Sequence, residues 1–143
     1  MKTLIVLIAL IAVALSQGPP FLEGASDAVL GAWAKLTAGF PNMSDDQIEQ
    51  ATNDFVANHP EIKEKFDAFQ AEVKAAKAKE EEEHAKYIAT LSPEAQAADK
   101  ELMAVANDHT ITLKAKGEKI EQIFKSLPPE VAKELSQQPP SSS

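Results

Sequence analysis

The sequence predicts an all-α protein: a bundle of five or six helices with one long central helix. Apolar residues recur at intervals of three and four along most of the chain, which is the spacing of one helical face. Serines stand at three sites typical of helix starts, Ser26, Ser44 and Ser92. Neither glycine nor proline interrupts the stretch from Glu61 to about Thr90, so we assign the long helix to it. No window shows the alternation of apolar and polar residues expected of a strand.

Residues 1–16 have the pattern of a secretory signal peptide. A lysine precedes the apolar run 4–15, and Ala14 and Ser16 supply the small residues of a cleavage site. Twelve apolar residues at ~1.5 Å each fall short of the ~30 Å hydrocarbon core of a bilayer. We therefore expect a secreted, extracellular protein that begins at Gln17 and has no membrane span.

Residues 17–25 contain two prolines and two glycines, which disfavour a regular helix. We expect an extended lead-in here. Phe21 and Leu22 should nevertheless dock on the domain, because leaving each of them in water would cost ~1.5–3 kcal/mol.

The first two helices are delimited by clear signals. The first helix is predicted to follow an N-cap at Ser26 and to end before Gly39. The second is predicted to start at the capping box 44–47. It should end by His59, because that residue precedes a proline.

The long helix is predicted to change character along its length. Its apolar seam stops at the charged residues 77–84 and then resumes, so the middle should be solvated and the helix should project or bend there. Ser92 and the proline after it begin the next helix. The poor helix formers in 107–112 should loosen or interrupt that helix, with a joint at Gly117.

The chain is predicted to close with a short helix and a tail. Pro128, Pro129 and Glu130 form the start of the last helix. The predicted helical domain therefore covers residues 26–135, and residues 136–143 form a polar, disordered tail.

Composition excludes several functions. The chain has 22 acidic residues against fourteen lysines and no arginine, for a net charge of −8. Such a balance argues against nucleic acid and anionic membranes as partners, since both are bound through cationic side chains. The chain has no cysteine, so its stability must come from packing, and thiol chemistry and zinc ribbons are excluded.

The run of four glutamates before His84 is the candidate metal site. Glu80, Glu83 and His84 can share one helix face, but three ligands leave most of the coordination of a magnesium or calcium ion to water. Carboxylate di-metal bundles need two Glu-x-x-His units, and the sequence has one. We expect weak binding at most, and a solvated charge run is the simpler interpretation.

No catalytic residue is predicted. The histidines His59, His84 and His109 lie in no recognised nucleophile motif. The serines that could act as nucleophiles are better explained as helix caps. The sequence therefore predicts that the protein is not an enzyme.

Two further features carry alternatives. Asn42 begins an N-glycosylation sequon, although the third residue of the sequon, Ser44, is also the predicted helix cap. The apolar stripes could line a pocket for fatty acids or other apolar ligands, but a domain of this size also needs such residues for its core. The stripes contain the following aromatic residues: Trp33, Phe40, Phe55, Phe66, Phe69 and Phe124.

Four segments in order resemble the SXP/RAL-2 family of nematode secreted antigens. They are Gly18-Pro-Pro-Phe-Leu-Glu-Gly-Ala25, Phe66-Asp-Ala-Phe69, Leu91-Ser-Pro-Glu-Ala95 and Ile123-Phe-Lys-Ser-Leu-Pro128. The likeness covers nearly all of the chain after the signal peptide and is greatest for small anisakid and ascarid members, which include allergens.

The resemblance implies an all-helical, excreted or surface-associated protein that host antibodies or other host proteins recognise. It implies no enzymatic activity. Because the family domain has been described as cation-binding, it also raises the expectation of a divalent-ion site. No ligand motif of the family maps onto residues of this sequence.

Overall fold

The structure is a computed structural model that describes residues 18–137. Within that range the chain forms six α-helices and three single turns of 3-10 helix. The α-helices are α1 Asp27–Ala38, α2 Asp45–Asn58, α3 Lys63–Ile88, α4 Pro93–Ala106, α5 Leu113–Ser126 and α6 Pro129–Ser136, and the 3-10 turns are Pro20–Leu22, Phe40–Asn42 and Pro60–Ile62. The predicted all-α fold is confirmed, and α3 is the long helix, with 26 residues. The predicted signal peptide and all but two residues of the predicted tail lie outside the described range.

Side-chain caps hold the starts of four helices. Ser26 Oγ accepts a hydrogen bond from Val29 N at 3.4 Å, and Ser92 Oγ accepts one from Ala95 N at 3.2 Å. Thr112 caps α5 in the same way. Each cap satisfies one of the backbone N–H groups that a helix start leaves without a partner.

The predicted capping box at the start of α2 is present. Ser44 Oγ accepts from Gln47 N at 3.4 Å, and Gln47 Oε1 accepts from Ser44 N at 2.9 Å. The exchange of hydrogen bonds fixes the direction in which α2 leaves the preceding loop.

An aromatic core fills the N-terminal half of the molecule. Trp33 lies among three phenylalanine rings, with centroids 5.2 Å from Phe21, 5.2 Å from Phe55 and 6.0 Å from Phe40. We call this cluster the N-core. Its buried members are Phe21, Leu22, Val29, Trp33, Phe40, Phe55, Val56, Ile62 and Phe66.

The lead-in docks on the N-core as expected, but it is not extended throughout. Leu22 N donates to Pro19 O at 2.9 Å, which closes the 3-10 turn Pro20–Leu22. The turn directs both Phe21 and Leu22 inward, and each is only 3% exposed. Gly24 then takes a φ of +80°, a conformation that glycine adopts without steric cost.

A second, smaller core lies between α4, α5 and α6. We call it the C-core, and its buried members are Ala95, Ala98, Leu102, Ile120, Val131 and Leu135. The carboxylate of Glu134, on α6, accepts hydrogen bonds from Ser92 N at 2.9 Å and from Ser92 Oγ at 2.8 Å. Tyr87 Oη donates to Glu134 O at 3.0 Å. The last helix is therefore attached both to the end of α3 and to the start of α4.

α3 runs past both cores without interruption. Near its start Phe66 is buried in the N-core, and at its end Ile88 packs against the C-core. Residues 74–79 between them are exposed, and so are Glu81 and Glu82, but the His84 side chain is only 14% exposed. The solvated stretch predicted at 77–84 is therefore confirmed for its first residues and wrong at His84.

The joint predicted at Gly117 is wrong, because that residue lies inside α5. The interruption predicted at 107–112 is confirmed, because α4 ends at Ala106 and α5 begins at Leu113. There Asp108 Oδ1 accepts hydrogen bonds from the backbone N and hydroxyl of Thr110, at 3.0 and 2.6 Å. Such local side-chain bonds compete with helical ones, whereas a glycine inside a helix costs only ~1 kcal/mol.

Candidate metal site and loop junction

The acidic segment of α3 is a ladder of exposed ion pairs. Lys77 Nζ lies 3.8 Å from Glu81 Oε1, and Lys79 Nζ lies 3.9 Å from Glu83 Oε1. A third pair joins Lys86 to Glu82, where the hydrogen bond to Lys86 lowers the pKa of the Glu82 carboxyl. All three pairs have the i,i+4 spacing that places charges on one helix face. The segment is arranged as a solvated charge run.

His84 is turned away from this ladder and towards α4. Its Nε2 lies 2.8 Å from Asp99 Oδ1, and both side chains are largely buried, at 14% and 12% exposure. Asp99 shares the buried face of α4 with Ala95, Ala98 and Leu102. The pair therefore joins two helices at the edge of the C-core.

The structure does not bring Glu80, Glu83 and His84 together as a preformed site. Glu83 lies beside Lys79, and His84 Nε2 lies beside Asp99. Across residues 18–137 there is no group of three or more His, Asp or Glu side chains that could hold a metal ion. A divalent ion at Glu80 and Glu83 would therefore keep most of its ligands as water.

Sequence reasoning missed a polar junction between two loops. The loop before α2 and the loop before α5 meet in an antiparallel bridge between Ser44 and Thr112. Leu113 N donates to Met43 O at 3.0 Å across the same contact. We call this contact the loop junction. It consists of the Ser44–Thr112 bridge and the side chains of Asp45, His109 and Lys116 beside it.

Lys116 is the buried centre of the loop junction. Its ammonium donates to Asp45 Oδ2 and, at 2.8 Å, to Ala106 O, and the residue is 5% exposed. His109 Nδ1 lies 3.0 Å from the same oxygen of Asp45. The sequence offered one sign of this buried lysine: Lys116 stands four residues before Ile120, on the apolar face of α5, where a charged side chain is unusual.

The loop before α5 carries its own charge effect. The hydroxyl of Thr110, and then its backbone N–H, stabilise the Asp108 carboxylate and lower its pKa, and Lys119 and Lys116 add attraction. These interactions favour the ionised form of Asp108, whose Oδ1 accepts both hydrogen bonds from Thr110.

Asn42 is exposed at the end of the turn Phe40–Asn42, where a glycan would point into solvent. Ser44 is buried and caps α2. Ser44, the third residue of the sequon, therefore has a structural role as the helix cap.

The aromatic residues proposed to line a pocket belong to two separate cores. Trp33, Phe40, Phe55 and Phe66 are buried in the N-core, and Phe69 packs against it. Phe124 packs against the C-core instead. No single pocket can use all six aromatic residues.

Each of the three histidines lies beside a carboxylate. His59 Nδ1 lies 3.7 Å from Glu61 Oε1, and His84 and His109 lie beside the aspartates described above. The three serines at predicted helix starts are all caps. These groups are explained by local structure and by helix packing.

Comparison with known proteins identifies the family. A family model described as "SXP/RAL-2 family protein Ani s 5-like, metal-binding domain" matches residues 1–141. The chain is 37% identical to the SXP/RAL-2 family protein Ani s 5 of Anisakis simplex, over 94% of this chain and 93% of that protein. It is 34% identical to the OV-17 antigen of Onchocerca volvulus, over 82% of this chain and 72% of the antigen.

No solved structure gives a significant match. None of the helices in residues 18–137 is long and apolar enough to cross a bilayer. Neither relative bears the name of an enzyme, and one is described as an antigen. The family model, which matches almost the whole sequence, and the two relatives together establish that this chain belongs to the SXP/RAL-2 family.

Proposed function

We propose that the protein is a secreted, non-enzymatic antigen that acts through protein contacts at the host–parasite boundary. The observation that carries this proposal is the exposed middle of α3, where residues 74–79 lie in solvent between the two cores. Lys74, Lys77 and Lys79 project from this segment, and four glutamates follow at 80–83, so the helix offers an antibody or another host protein an ordered, charged surface. The relationship to the OV-17 antigen supports the same function.

Secretion is the first part of the proposal to test. Intact-mass measurement of protein collected from the medium of the natural source should give a chain that begins at Gln17. A chain that retains residues 1–16, or protein found only inside cells, would refute secretion.

Recognition by host antibodies can be localised with matched variants. We would replace Lys77, Glu81 and Glu82 by alanine on α3 and, as the control, the exposed Lys114 and Glu118 on α5. Antibodies from an infected host should lose affinity for the α3 variant and keep it for the α5 variant. Equal binding to both variants, with circular dichroism showing intact helices, would refute α3 as the recognised surface.

Weak cation binding is a subsidiary part of the proposal. The described residues offer Glu80 and Glu83 without further converging ligands, so magnesium or calcium should bind weakly and in a salt-sensitive manner. Calorimetry should show binding that falls in Glu80→Gln/Glu83→Gln and persists in the control Glu64→Gln/Glu72→Gln. Submicromolar affinity, or equal affinity in both variants, would place the ion elsewhere.

A carrier of fatty acids or other apolar ligands is the alternative function. The packing of the aromatic rings against one another at 5.1–6.0 Å supports a structural role for them instead. Native mass spectrometry of protein from its natural source would decide between the two. A co-purified lipid in stoichiometric amount would favour the carrier.

A further inference from the structure

The two cores of this molecule share few elements. The N-core is built by the lead-in, α1, α2 and the first turns of α3, whereas the C-core is built by α4, α5 and α6. α3 joins them covalently, but its exposed middle packs against neither core. The loop junction is a second connection, because α5 contacts the turn Phe40–Asn42 there and Leu113 packs against the N-core.

The charges at the loop junction complement the ends of two helices. Asp45 is the first residue of α2, where the helix dipole favours a negative group. Ala106 is the last residue of α4, and its carbonyl is one of those that a helix end leaves without an intrahelical partner. Lys116 approaches both from α5 and donates to each of them.

Burial makes this arrangement demanding. Lys116 is 5% exposed, and a buried ammonium that loses its partners is strongly unfavourable. Burial of the ammonium therefore favours the register in which Asp45 and the Ala106 carbonyl face Lys116. His109, at 3.0 Å from the same carboxylate oxygen, adds a second contact from the α4–α5 loop to the same aspartate.

We propose that Lys116 and Asp45 form a latch that couples the N-core and the C-core, so that the two cores open and unfold as one cooperative unit. The latch is a conformational device of the fold and does not depend on the proposed antigen function. Without it, the C-core opens first, because its buried members include two alanines and no aromatic residue, and it gains less from burial.

The chain contains one probe for each core. Its single tryptophan, Trp33, lies in the N-core, and its single tyrosine, Tyr87, donates a hydrogen bond to the backbone of α6 beside the C-core. In a urea titration, tryptophan fluorescence reports the N-core, and the ring NMR signals of the tyrosine report the C-core. Coincidence of the two transitions is the test of a single cooperative unit.

Two variants remove the latch: one leaves the Asp45 carboxylate without its lysine, and the other neutralises that carboxylate as well. Lys116→Met removes the ammonium, and Asp45→Asn/Lys116→Met also neutralises the carboxylate, so that the second variant folds even if the first does not. Lys114→Met is the control, because it makes the same substitution at an exposed position of α5. We expect coincident transitions in the natural chain and in the control, and an earlier Tyr87 transition in both latch variants.

Coincident transitions in the double variant would overturn the proposal, and so would separate transitions in the natural chain. Amide hydrogen exchange of the natural chain is an independent check that needs no variant. The slowest amides of α1 and α4 should be protected to within about tenfold of each other, since both then exchange through the same opening. A difference of about a hundredfold or more would refute the coupling.

Discussion

Phe66→Ala tests the N-core at the point where α3 enters it. Phe66 is buried, and its ring meets the edge of Phe21 with centroids 5.1 Å apart. Truncation leaves a cavity and removes this aromatic pair, and buried Phe→Ala substitutions cost about 3–5 kcal/mol. For the roughly 120 described residues the entropy of unfolding is about 250 cal/mol/K, so Tm should fall by roughly 12–20 °C.

The neighbouring Phe69 provides the internal comparison. Its ring also contacts Phe21, at 5.3 Å, but the side chain is only partly buried. Phe69→Ala should therefore cost about 1–3 kcal/mol. The exposed Glu72→Ala on the same helix should change stability by no more than ~0.5 kcal/mol.

Urea denaturation followed by Trp33 fluorescence, together with thermal melts, measures all three variants. The result that would refute the reasoning is a loss below about 1 kcal/mol at Phe66, because so small a loss approaches the ~0.5 kcal/mol typical of an exposed side chain. A larger loss at Phe69 than at Phe66 would equally show that the burial order along α3 is wrong.

Three further predictions concern helix ends and glycines. Ser44→Ala should lower the free energy of unfolding by about 1–2 kcal/mol in urea titrations, because it removes the side-chain half of the capping box. Glu134→Ala should cost about 1.5–3 kcal/mol, because two hydrogen bonds from the start of α4 to its carboxylate are lost, and amide exchange across Pro129–Ser136 should accelerate. Gly31→Ala and Gly117→Ala should each raise stability by about 0.5–1 kcal/mol in thermal melts, since an added Cβ meets no atom within 4 Å at either position.

Matched substitutions separate these causes from general effects of mutation. Asn42→Ala and Lys133→Ala change exposed residues near Ser44 and Glu134 and should be nearly neutral. Gly24→Ala should destabilise, in contrast to the two helical glycines, because its φ of +80° disfavours a side chain. If Gly24→Ala stabilised the protein, or if Gly31→Ala and Gly117→Ala both destabilised it, the reasoning from backbone conformation and open space at these glycines would be wrong.

Features that depend on a few neighbouring residues could be predicted from the sequence. The capping box at Ser44 needs only the residue three positions later, and the helix start at Ser92 needs only the proline that follows. The helix ends before Gly39 and Pro60 depend on backbone chemistry in the same local way. The all-α fold therefore followed from local signals.

Contacts between distant residues could not be predicted in this way. Asp45 and Lys116 are 71 positions apart, and His84 and Asp99 belong to different helices. Helical periodicity shows which face a residue occupies, but not which helix packs against that face. Lys116 and Asp99 stand out in the sequence as charged residues on apolar helix faces. Their partners, Asp45 and His84, are determined by how the helices pack and cannot be read from the sequence.

The predicted metal site was limited in the same way, because local spacing does not show which distant residue a side chain contacts. Glu80, Glu83 and His84 share a helix face by spacing, but tertiary packing turned His84 towards Asp99. Whether a divalent ion binds at the two glutamates stays a prediction, and the family model's description as a metal-binding domain is the reason to test it.

Under the secretion proposed above, the burial of the lead-in would set the order of leader removal and folding. Phe21 would be the fifth residue of a chain that begins at Gln17, and it lies in the centre of the N-core. A leader peptidase needs an extended, accessible stretch around the bond that it cuts, and Phe21 and Leu22, buried in the N-core, would hold the chain a few residues beyond the proposed cleavage site. If the proposed leader is removed, its removal should precede completion of the fold, and the new amino terminus would then lie within a few residues of the aromatic cluster.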